Sequence, residues 1–331
     1  MLLATDCRHL TRSISMMEIH NMRTYSLPMH CSPLSKKIRH VLAMAGALTL
    51  STTATLTANA AEIATDPGDY VPLPEGSTLG LLYLQHASRD SVYANGDLLR
   101  DDTGLDTRIG LARFIHYLNI GGYTVNPQII LPFGRVELKA PFGPLEPTSS
   151  SGMGDPMIGA TTWLVNNPDQ QKWFGLSAFA SMPAGKYDAS NGPINVGENR
   201  WKGIFQAGYV TGLGDDFMLD IIAEYATYGD NDDFIGTRRE QNDSQSLQTH
   251  FKYLLSPQSH LALSYYHSFG GETTVGGVRQ DDALDNSRWQ ATFATFVQPT
   301  LQLQMQYGQD INVENGFKED QRINLRVAKV F

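Results

Sequence analysis

The 331-residue chain has only two cysteines, Cys7 and Cys31, and no long apolar run. No stretch approaches the roughly 18 consecutive apolar residues that a membrane-spanning helix needs, which excludes a helical membrane protein. Charged residues are also scarce, at 18%, whereas aromatic residues make up 10% and exclude a disordered chain. A transmembrane β-barrel remains compatible with this composition, because its strands place an apolar side chain only at every second position.

The N-terminal region predicts export. A basic group at residues 36–39 precedes an Ala-rich apolar stretch, and small residues at positions 58–60 suit a signal peptidase. We interpret residues 1–60 as a precursor region with an export signal at 36–60; the alternative is a short hydrophobic helix of a folded domain. Removal of this region takes away both cysteines, so disulfides and cysteine-ligated metals are excluded from the mature chain.

The charge balance bears on partners. The formal net charge is −9 at pH 7, and the export signal that is removed is basic. The mature chain is therefore more acidic still, and a polyanion would repel it. We expect no nucleic-acid partner.

Two-residue periodicity dominates the mature chain. From Leu301 to Tyr307, apolar side chains alternate with glutamines without an error, which gives a strand with one apolar and one polar face. The same alternation recurs and predicts twelve strands, whose length at a tilt of about 40° matches the ~25 Å apolar band of an outer-membrane barrel. The predicted strands cover residues 78–86, 107–118, 123–133, 157–165, 172–182, 201–213, 217–226, 246–255, 261–265, 289–297, 301–307 and 321–331.

The connections between these strands alternate between short and long. The short ones are residues 119–122, 166–171, 214–216, 256–258 and 298–300, and the long ones are residues 87–106, 134–154, 183–200, 230–243, 271–287 and 309–320. Short turns on one side and long loops on the other are typical of outer-membrane barrels with an even strand number. The sequence predicts an all-β fold, a twelve-stranded antiparallel transmembrane β-barrel at residues 77–331, after a leader at residues 61–76.

A soluble β-sandwich or lipocalin-like barrel shows the same alternation and is the alternative fold. Strand number weighs against it, because twelve long strands closed into a soluble barrel leave a lumen too wide for side chains to fill. The chain also ends in Phe331, on one face with Ile323, Leu325 and Val327. This ending is similar to the recognition signal of outer-membrane barrel assembly, so we expect the assembly machinery and outer-membrane lipid as partners.

Five segments resemble motifs of one family of outer-membrane transporters, the meta-pathway of phenol degradation family. They are Asp69–Gly76, Leu131–Gly134, Gly152–Pro156, Met182–Tyr187 and Gly197–Trp201. The resemblance extends over essentially the whole mature chain. It implies a barrel in the bacterial outer membrane and the passage of aromatic compounds.

The leader contains Tyr70, Pro72 and Pro74. The two prolines prevent it from joining a β-ladder, since proline lacks the N–H that a ladder needs. We expect the leader to lie extended at the periplasmic mouth or inside the lumen; the alternative is a disordered tail.

A sharp loop that re-enters the barrel wall is predicted farther along the chain. Gly152 and Gly154 supply the conformational freedom that such a loop needs. We interpret Asp155 as a cap of this turn, because Asp beside Gly and Pro usually bonds the local backbone. The alternative is that Asp155 projects into the channel.

The spacing of the polar residues gives no support to catalysis. His267 and Ser268 are the nearest base and nucleophile, but adjacent strand residues point to opposite faces and cannot share a hydrogen bond. The acidic clusters at residues 101–102, 230–233 and 281–282 lack the regular spacing of a Ca²⁺ site. We predict no enzyme, no catalytic residue, no metal and no cofactor, and rank an outer-membrane hydrolase last among the alternatives.

The polar faces of the strands predict a hydrated lumen. The inward-facing candidates are Gln206, Asp220, Glu224, Gln248, His250, Lys252, Gln290, Gln302, Gln304, Gln306, Arg322, Asn324 and Arg326. Twelve strands enclose less space than the sixteen of a wide porin, so we expect narrow and selective passage. Tyr266, Phe296 and Met218 share the inward parity and offer apolar contacts to a solute.

These features predict an outer-membrane channel for the passive passage of small hydrophobic solutes. The family resemblance implies that the solutes are aromatic and phenol-like. The alternative from another class is a non-conducting surface barrel whose acidic loops bind a partner or ions. Planar-bilayer conductance separates the two.

One residue departs from the pattern. Alternation places Arg113 on the lipid face beside Ile109, Leu111, Ile115 and Tyr117, at a cost of ~2–4 kcal/mol at the bilayer midplane. We predict either a β-bulge there or an inverted phase over half of the strand.

Overall fold

The computed structural model describes residues 64–141 and 146–331, so the predicted export signal at residues 36–60 lies outside the described residues. The barrel strands are β1 (Thr78–Arg89), β2 (Leu105–His116), β3 (Tyr123–Leu138), β4 (Met157–Asn167), β5 (Lys172–Ser181), β6 (Lys202–Leu213), β7 (Phe217–Tyr228), β8 (Ser244–Ser256), β9 (Ser259–Gly270), β10 (Leu284–Gln298), β11 (Leu301–Asn312) and β12 (Gln321–Val330). Each pairs antiparallel with its neighbours in sequence, and β1 pairs with β12 to close the barrel. The predicted twelve-stranded fold is confirmed.

Short turns join the strands at the end where β1 begins, and long loops join them at the opposite end. The loops and turns contain further short elements, namely strands Ser91–Ala94, Asp97–Arg100, Leu118–Ile120, Thr148–Met153, Asn231–Phe234, Thr237–Gln241, Thr273–Val275, Val278–Arg279 and Gly316–Lys318, and the 3₁₀-helix Ala189–Asn191. Within residues 64–141 and 146–331, no helix is long and apolar enough to cross a membrane.

The two faces of the strands differ in exposure as the alternation predicts. Leu303 and Met305 of β11 are 41% and 56% exposed on the outside of the barrel, whereas Gln304 and Gln306 are each 3% exposed. Apolar side chains therefore coat the outside and amides line the inside. A soluble barrel would have the opposite arrangement, because water would surround it.

The phase of β2 differs from the prediction. Ile109 and Ile115 are buried inside the barrel, and Arg113 shares their face. The pairings of β2 with both neighbours are regular, so the strand has no bulge and its phase is inverted throughout. The physical reason is that Arg113 finds polar partners inside, whereas the outward positions Gly110 and Ala112 are small and suit the cover of neighbouring side chains such as Phe133.

Candidate functional site in the barrel lumen

Residues 64–76 of the leader lie inside the lumen. A turn at residues 67–70 begins the leader's path, with the Asp69 N–H donating to the Asp66 carbonyl at 3.0 Å. Beyond Pro72 and Pro74, the Gly76 N–H donates to the Tyr117 carbonyl at 2.9 Å and fixes the entry into β1. The described part of the leader thus runs through the lumen to the short-turn end of the barrel, where β1 begins.

Among the described residues, three ion pairs attach the leader to the wall, and the longest joins Asp69 Oδ1 to Arg326 Nη1 at 3.9 Å. Asp66 Oδ2 lies 2.7 Å from Arg326 Nη1, with both side chains less than 10% exposed, and Asp66 Oδ1 accepts from Gln306 Nε2 at 2.8 Å. Asp69 Oδ2 lies 3.3 Å from Arg113 Nη1 on the other side of the lumen. Charges buried this deeply are stable only with their partners in place, so the pairs oppose displacement of the leader.

Neutral hydrogen bonds extend the attachment at the start of the leader. The Thr65 hydroxyl bonds Gln248 Oε1 at 2.8 Å and His250 Nε2 at 2.9 Å, and the Tyr266 hydroxyl donates to the Thr65 carbonyl at 3.2 Å. The Gly68 N–H donates to Asp220 Oδ2 at 2.6 Å. These bonds hold the leader on β7, β8 and β9.

Tyr70 completes the attachment. Its hydroxyl bonds Ser177 Oγ at 2.8 Å and Gln206 Oε1 at 3.1 Å, and its carbonyl accepts from Trp163 Nε1 at 2.8 Å. The ring lies against the backbone of Gly208, where an added Cβ would come within 2.4 Å of it. Together, the described side-chain bonds of the leader reach nine of the twelve barrel strands, which are β2, β4 to β9, β11 and β12.

The leader lies between two cavities. The outer cavity, toward the long loops, encloses about 730 Å³ with its opening, and its lining includes Thr65, Leu111 and Asn324. The inner cavity, toward the short turns, encloses about 1220 Å³ and is lined in part by Tyr70 and Phe296. A solute that crosses the barrel through the lumen must pass the leader.

The wall of the lumen is apolar on one side. On β1 to β4, the buried inward side chains include Leu81, Tyr83, Ile109, Ile130 and Met157. These side chains form an apolar strip, interrupted by polar side chains of the same strands such as Arg113, on the inside of a barrel whose outside is also apolar. On β5 to β7 too, apolar side chains such as Phe179 and Ile222 are buried inside, so the alternation of polar-in and apolar-out is regular only on the later strands.

The opposite side of the lumen is polar. All thirteen predicted lumen positions have the inward parity on β6 to β8 and β10 to β12, and twelve of them are buried, with Gln302 half-buried. Gln206 Nε2 donates to Glu224 Oε2 at 2.6 Å, and Arg326 Nη2 donates to Gln302 Oε1 at 2.5 Å. These groups bond the leader and one another; their contact with a solute stays a prediction.

Asn324 lines the outer cavity and has an acceptor that is unpaired among the described residues. Its Nδ2 donates to Gln290 Oε1 at 3.3 Å and to Gln306 Oε1 at 3.1 Å, which fixes the orientation of the amide. Its Oδ1 is buried and has no partner among the described residues. A buried carbonyl oxygen gains free energy from a donor, so this position suits a solute with an O–H group.

Of the three predicted apolar contacts, Tyr266 and Met218 are buried inside the barrel, at 2% and 8% exposure. Phe296 is 38% exposed and lines the inner cavity. Arg288 lies over the Tyr266 ring, 4.2 Å from its centroid. The outer cavity thus combines aromatic surface with positive charge.

The loop at residues 152–155 re-enters the wall. The strand Thr148–Met153 pairs with the outer part of β3, and β4 pairs with the inner part. Asp155 accepts backbone N–H bonds from Gly185 at 2.8 Å and Glu198 at 2.6 Å, so it joins two loops rather than lining the channel. Burial raises the pKa of this carboxyl, and the two N–H donors oppose the rise.

A second charged group stabilises the loop after β5. Glu198 bonds the buried guanidinium of Arg200, with its Nε at 2.9 Å. Burial by itself raises the pKa of Glu198, but the charges of Arg200 and Lys202 outweigh it and lower the pKa to about 2. Glu198 is therefore ionised at all physiological pH values.

His267 and Ser268 point to opposite sides of β9, as their adjacency requires. His267 Nε2 lies 3.3 Å from Asp285 Oδ1 on the outside of the barrel. Ser268 lines a pocket on the inside, near the long loops. Among the described residues, no three His, Cys, Asp or Glu side chains are grouped to hold a metal ion.

Comparison with known proteins gave one family and several structures. The family described as "Putative MetA-pathway of phenol degradation" matches residues 87–327. An outer membrane channel from Pseudomonas putida F1 is 38% identical, with 81% of this chain and 100% of that chain covered and a TM-score of 0.77. A comparison with curated proteins gave no match.

Two more distant structures share the barrel form. The KdgM porin is 9% identical, over 76% of this chain and 99% of its own, with a TM-score of 0.40. A mutant of the TodX monoaromatic hydrocarbon channel is 9% identical, over 80% of this chain and 92% of its own, with a TM-score of 0.44. We draw no functional conclusion from likenesses of this degree.

Proposed function

We propose that this chain passes small aromatic solutes across the outer membrane. It belongs to the MetA-pathway of phenol degradation family, and its likeness to the Pseudomonas putida F1 structure makes it an outer-membrane channel. The observation that carries the proposal is the apolar strip on the inside of β1 to β4. An ion gains no free energy from such a strip, because it keeps its shell of water. An aromatic ring gains free energy by covering it.

The outer cavity is the proposed binding position. The ring of the solute packs against Tyr83, Leu111 and Ile130, and its hydroxyl donates to Asn324 Oδ1. This arrangement favours phenols over hydrocarbons of the same size, because only a phenol pairs the buried acceptor. The solute's own concentration gradient drives the passage.

The leader controls the second half of the path. A solute moves from the outer to the inner cavity when the leader shifts away from its wall contacts. The ion pair of Asp66 with Arg326 and the packing of Tyr70 on Gly208 therefore set the resistance of the channel.

Uptake into proteoliposomes tests this function. We expect labelled phenol to enter vesicles that contain the folded protein faster than it enters protein-free vesicles, whereas a sugar of similar size enters both at the same rate. In Asn324→Leu, phenol uptake falls and toluene uptake is unchanged, because toluene has no O–H to donate. Equal phenol uptake with and without protein would remove the proposed function.

A further inference from the structure

The lipid-facing side of the barrel carries a pair of arginines. Seven arginines lie in the twelve barrel strands, and five of them have the inward parity. The other two, Arg108 of β2 and Arg135 of β3, are exposed on the outer face. They are directly paired across the two strands.

Both residues lie in the half of the barrel near the long loops. Arg108 is the fourth residue from the loop end of β2, and Arg135 is the fourth from the loop end of β3. Directly opposed residues have Cβ atoms about 5 Å apart, and like charges at this separation repel each other. An anion placed between the two guanidinium groups would attract both of them and so offset their repulsion.

Neighbouring acids leave part of this charge unpaired. Arg135 Nη2 lies 3.1 Å from Glu137 Oε1, and Lys139 Nζ lies 2.6 Å from Asp106 Oδ2. The side chain of Arg108 makes no hydrogen bond or ion pair with any residue that the structure describes. Asp106, Glu137 and, at longer range, Asp90 offset the charges of Lys139 and Arg135, so Arg108 is the cation of this cluster that no described acid pairs.

The row of paired residues continues on both sides. His86 of β1 is the partner of Arg108, and its Nδ1 is buried without a partner among the described residues. Ser151 of the strand Thr148–Met153 is the partner of Arg135 and is exposed. Four side chains that can donate hydrogen bonds thus lie in register on the same outer face.

We propose that this row, His86, Arg108, Arg135 and Ser151, binds a phosphate group of lipopolysaccharide in the outer leaflet. Guanidinium groups match the oxygen geometry of a phosphate and bond it with charge assistance. The arginine stems cover apolar surface while their heads reach the headgroup layer, where lipid phosphates lie. A free phosphate ion would not gain the contact of acyl chains with Leu82 and Leu84, which are exposed on the neighbouring β1.

The experiment measures binding of lipid A to the folded barrel in detergent, by native mass spectrometry. We expect Arg108→Gln and Arg135→Gln each to weaken binding about tenfold or more, since each removes a charge-assisted bond to phosphate. Lys172→Gln and Lys329→Gln, which remove outward cations at the short-turn ends of β5 and β12, are the matched controls and leave binding unchanged.

Two further arms make the outcome decisive. Dephosphorylated lipid A binds the wild type as weakly as phosphorylated lipid A binds the double glutamine variant, and inorganic phosphate at the same phosphorus concentration does not compete. The heat-dependent gel mobility of each variant checks its folding. If the double glutamine variant fails to fold, the double variant Arg108→Lys and Arg135→Lys replaces it; it keeps both positive charges, so we expect it to retain binding. Unchanged binding by the glutamine variants, equal weakening in the lysine controls, or competition by inorganic phosphate overturns the proposal.

Discussion

The two sides of the lumen differ in chemistry although one barrel forms both. β1 to β4 present apolar side chains such as Ile109, Ile130 and Met157 to the inside, whereas β8 to β12 present mainly amides and charges such as Gln248 and Gln306. Among the described residues, the polar side pairs with Asp66 of the leader, whereas the apolar side bonds the leader only through Arg113 and Trp163 and offers surface to a hydrophobic solute. This difference underlies the proposed division of the lumen between holding the leader and binding the solute.

The largest expected effect comes from a charge on the apolar side. In Ile130→Asp, the carboxylate lies where Ile130 is 3% exposed, and burying it costs several kcal/mol. We expect phenol uptake by proteoliposomes to fall to the protein-free rate. The matched control is Gln290→Asp on the polar side of the same cavity, which keeps at least about half of the uptake because neighbouring polar groups solvate the new charge. Equal uptake by the two variants would show that the sides do not differ in function.

Breaking the ion pair of the leader tests the role of the polar side. Asp66→Asn leaves the buried Arg326 with only the longer contact to Asp69 at 3.9 Å as counter-charge, and removal of one partner costs up to about 3–5 kcal/mol in comparable buried pairs. We expect the leader to leave its position and single-channel conductance in a planar bilayer to rise. Asp69→Asn has a smaller effect, since the pair of Asp69 with Arg113 is longer and more exposed. A conductance equal to that of the wild type in both variants would mean that the leader does not limit passage.

A steric change at the leader has a smaller effect. Gly208→Ala places a methyl group within 2.4 Å of the Tyr70 ring, and overpacking of this kind costs about 1–3 kcal/mol. We expect a modest rise in conductance. In a chain that also carries Tyr70→Ala, the ring that the new methyl group would meet is absent, so Gly208→Ala should then have no further effect on conductance. Gly203→Ala, on the outer face of the same strand, is the control and leaves conductance unchanged. A rise in Gly203→Ala would point to a general effect on β6 instead.

The smallest expected effect concerns the loops and pH. Because the folded-state pKa of Glu198 is about 2, below its ordinary value of 4.5, its ionised form stabilises the loop above pH 4.5. This contribution is lost progressively as the pH falls from about 4.5 to about 2. Hydrogen exchange at the Glu198 and Gly185 amides should accelerate over that range in the wild type more than in Glu198→Gln. The same acceleration in both proteins would assign the pH dependence to another group.

Strand number and topology were predictable because the outside of the barrel is uniform. Every strand needs apolar side chains toward lipid, so a pattern such as that of β11 is readable from a few residues. The ends of the strands were less predictable from the sequence: β10 begins at Leu284, five residues before its predicted start at Trp289. Pairing continues there beyond the membrane, where neither face needs to be apolar.

The phase of β2 was not predictable from its own residues. Its inward residues Ile109 and Ile115 look lipid-facing, because both sides of this part of the wall are apolar. The phase depends on Arg113, whose partner Asp69 lies 44 residues away in the leader. Such a contact exists only after the barrel has closed.

The position of the leader was only partly predictable. Pro72 and Pro74 exclude it from the sheet, but its main ion pair joins residues 260 positions apart, Asp66 and Arg326. A usable signal was present in β6, where Gly208 interrupts a strand. A glycine inside a strand often marks the close approach of another segment, here the Tyr70 ring.

The position of a bound solute tests the central claim most directly. A crystal of the protein soaked in a brominated phenol would locate the ring through the anomalous scattering of bromine. The divided lumen predicts bromine density in the outer cavity, against Tyr83, Leu111 and Ile130, with the hydroxyl near Asn324 Oδ1. Density confined to the polar side of the lumen or to the lipid-facing surface would contradict it.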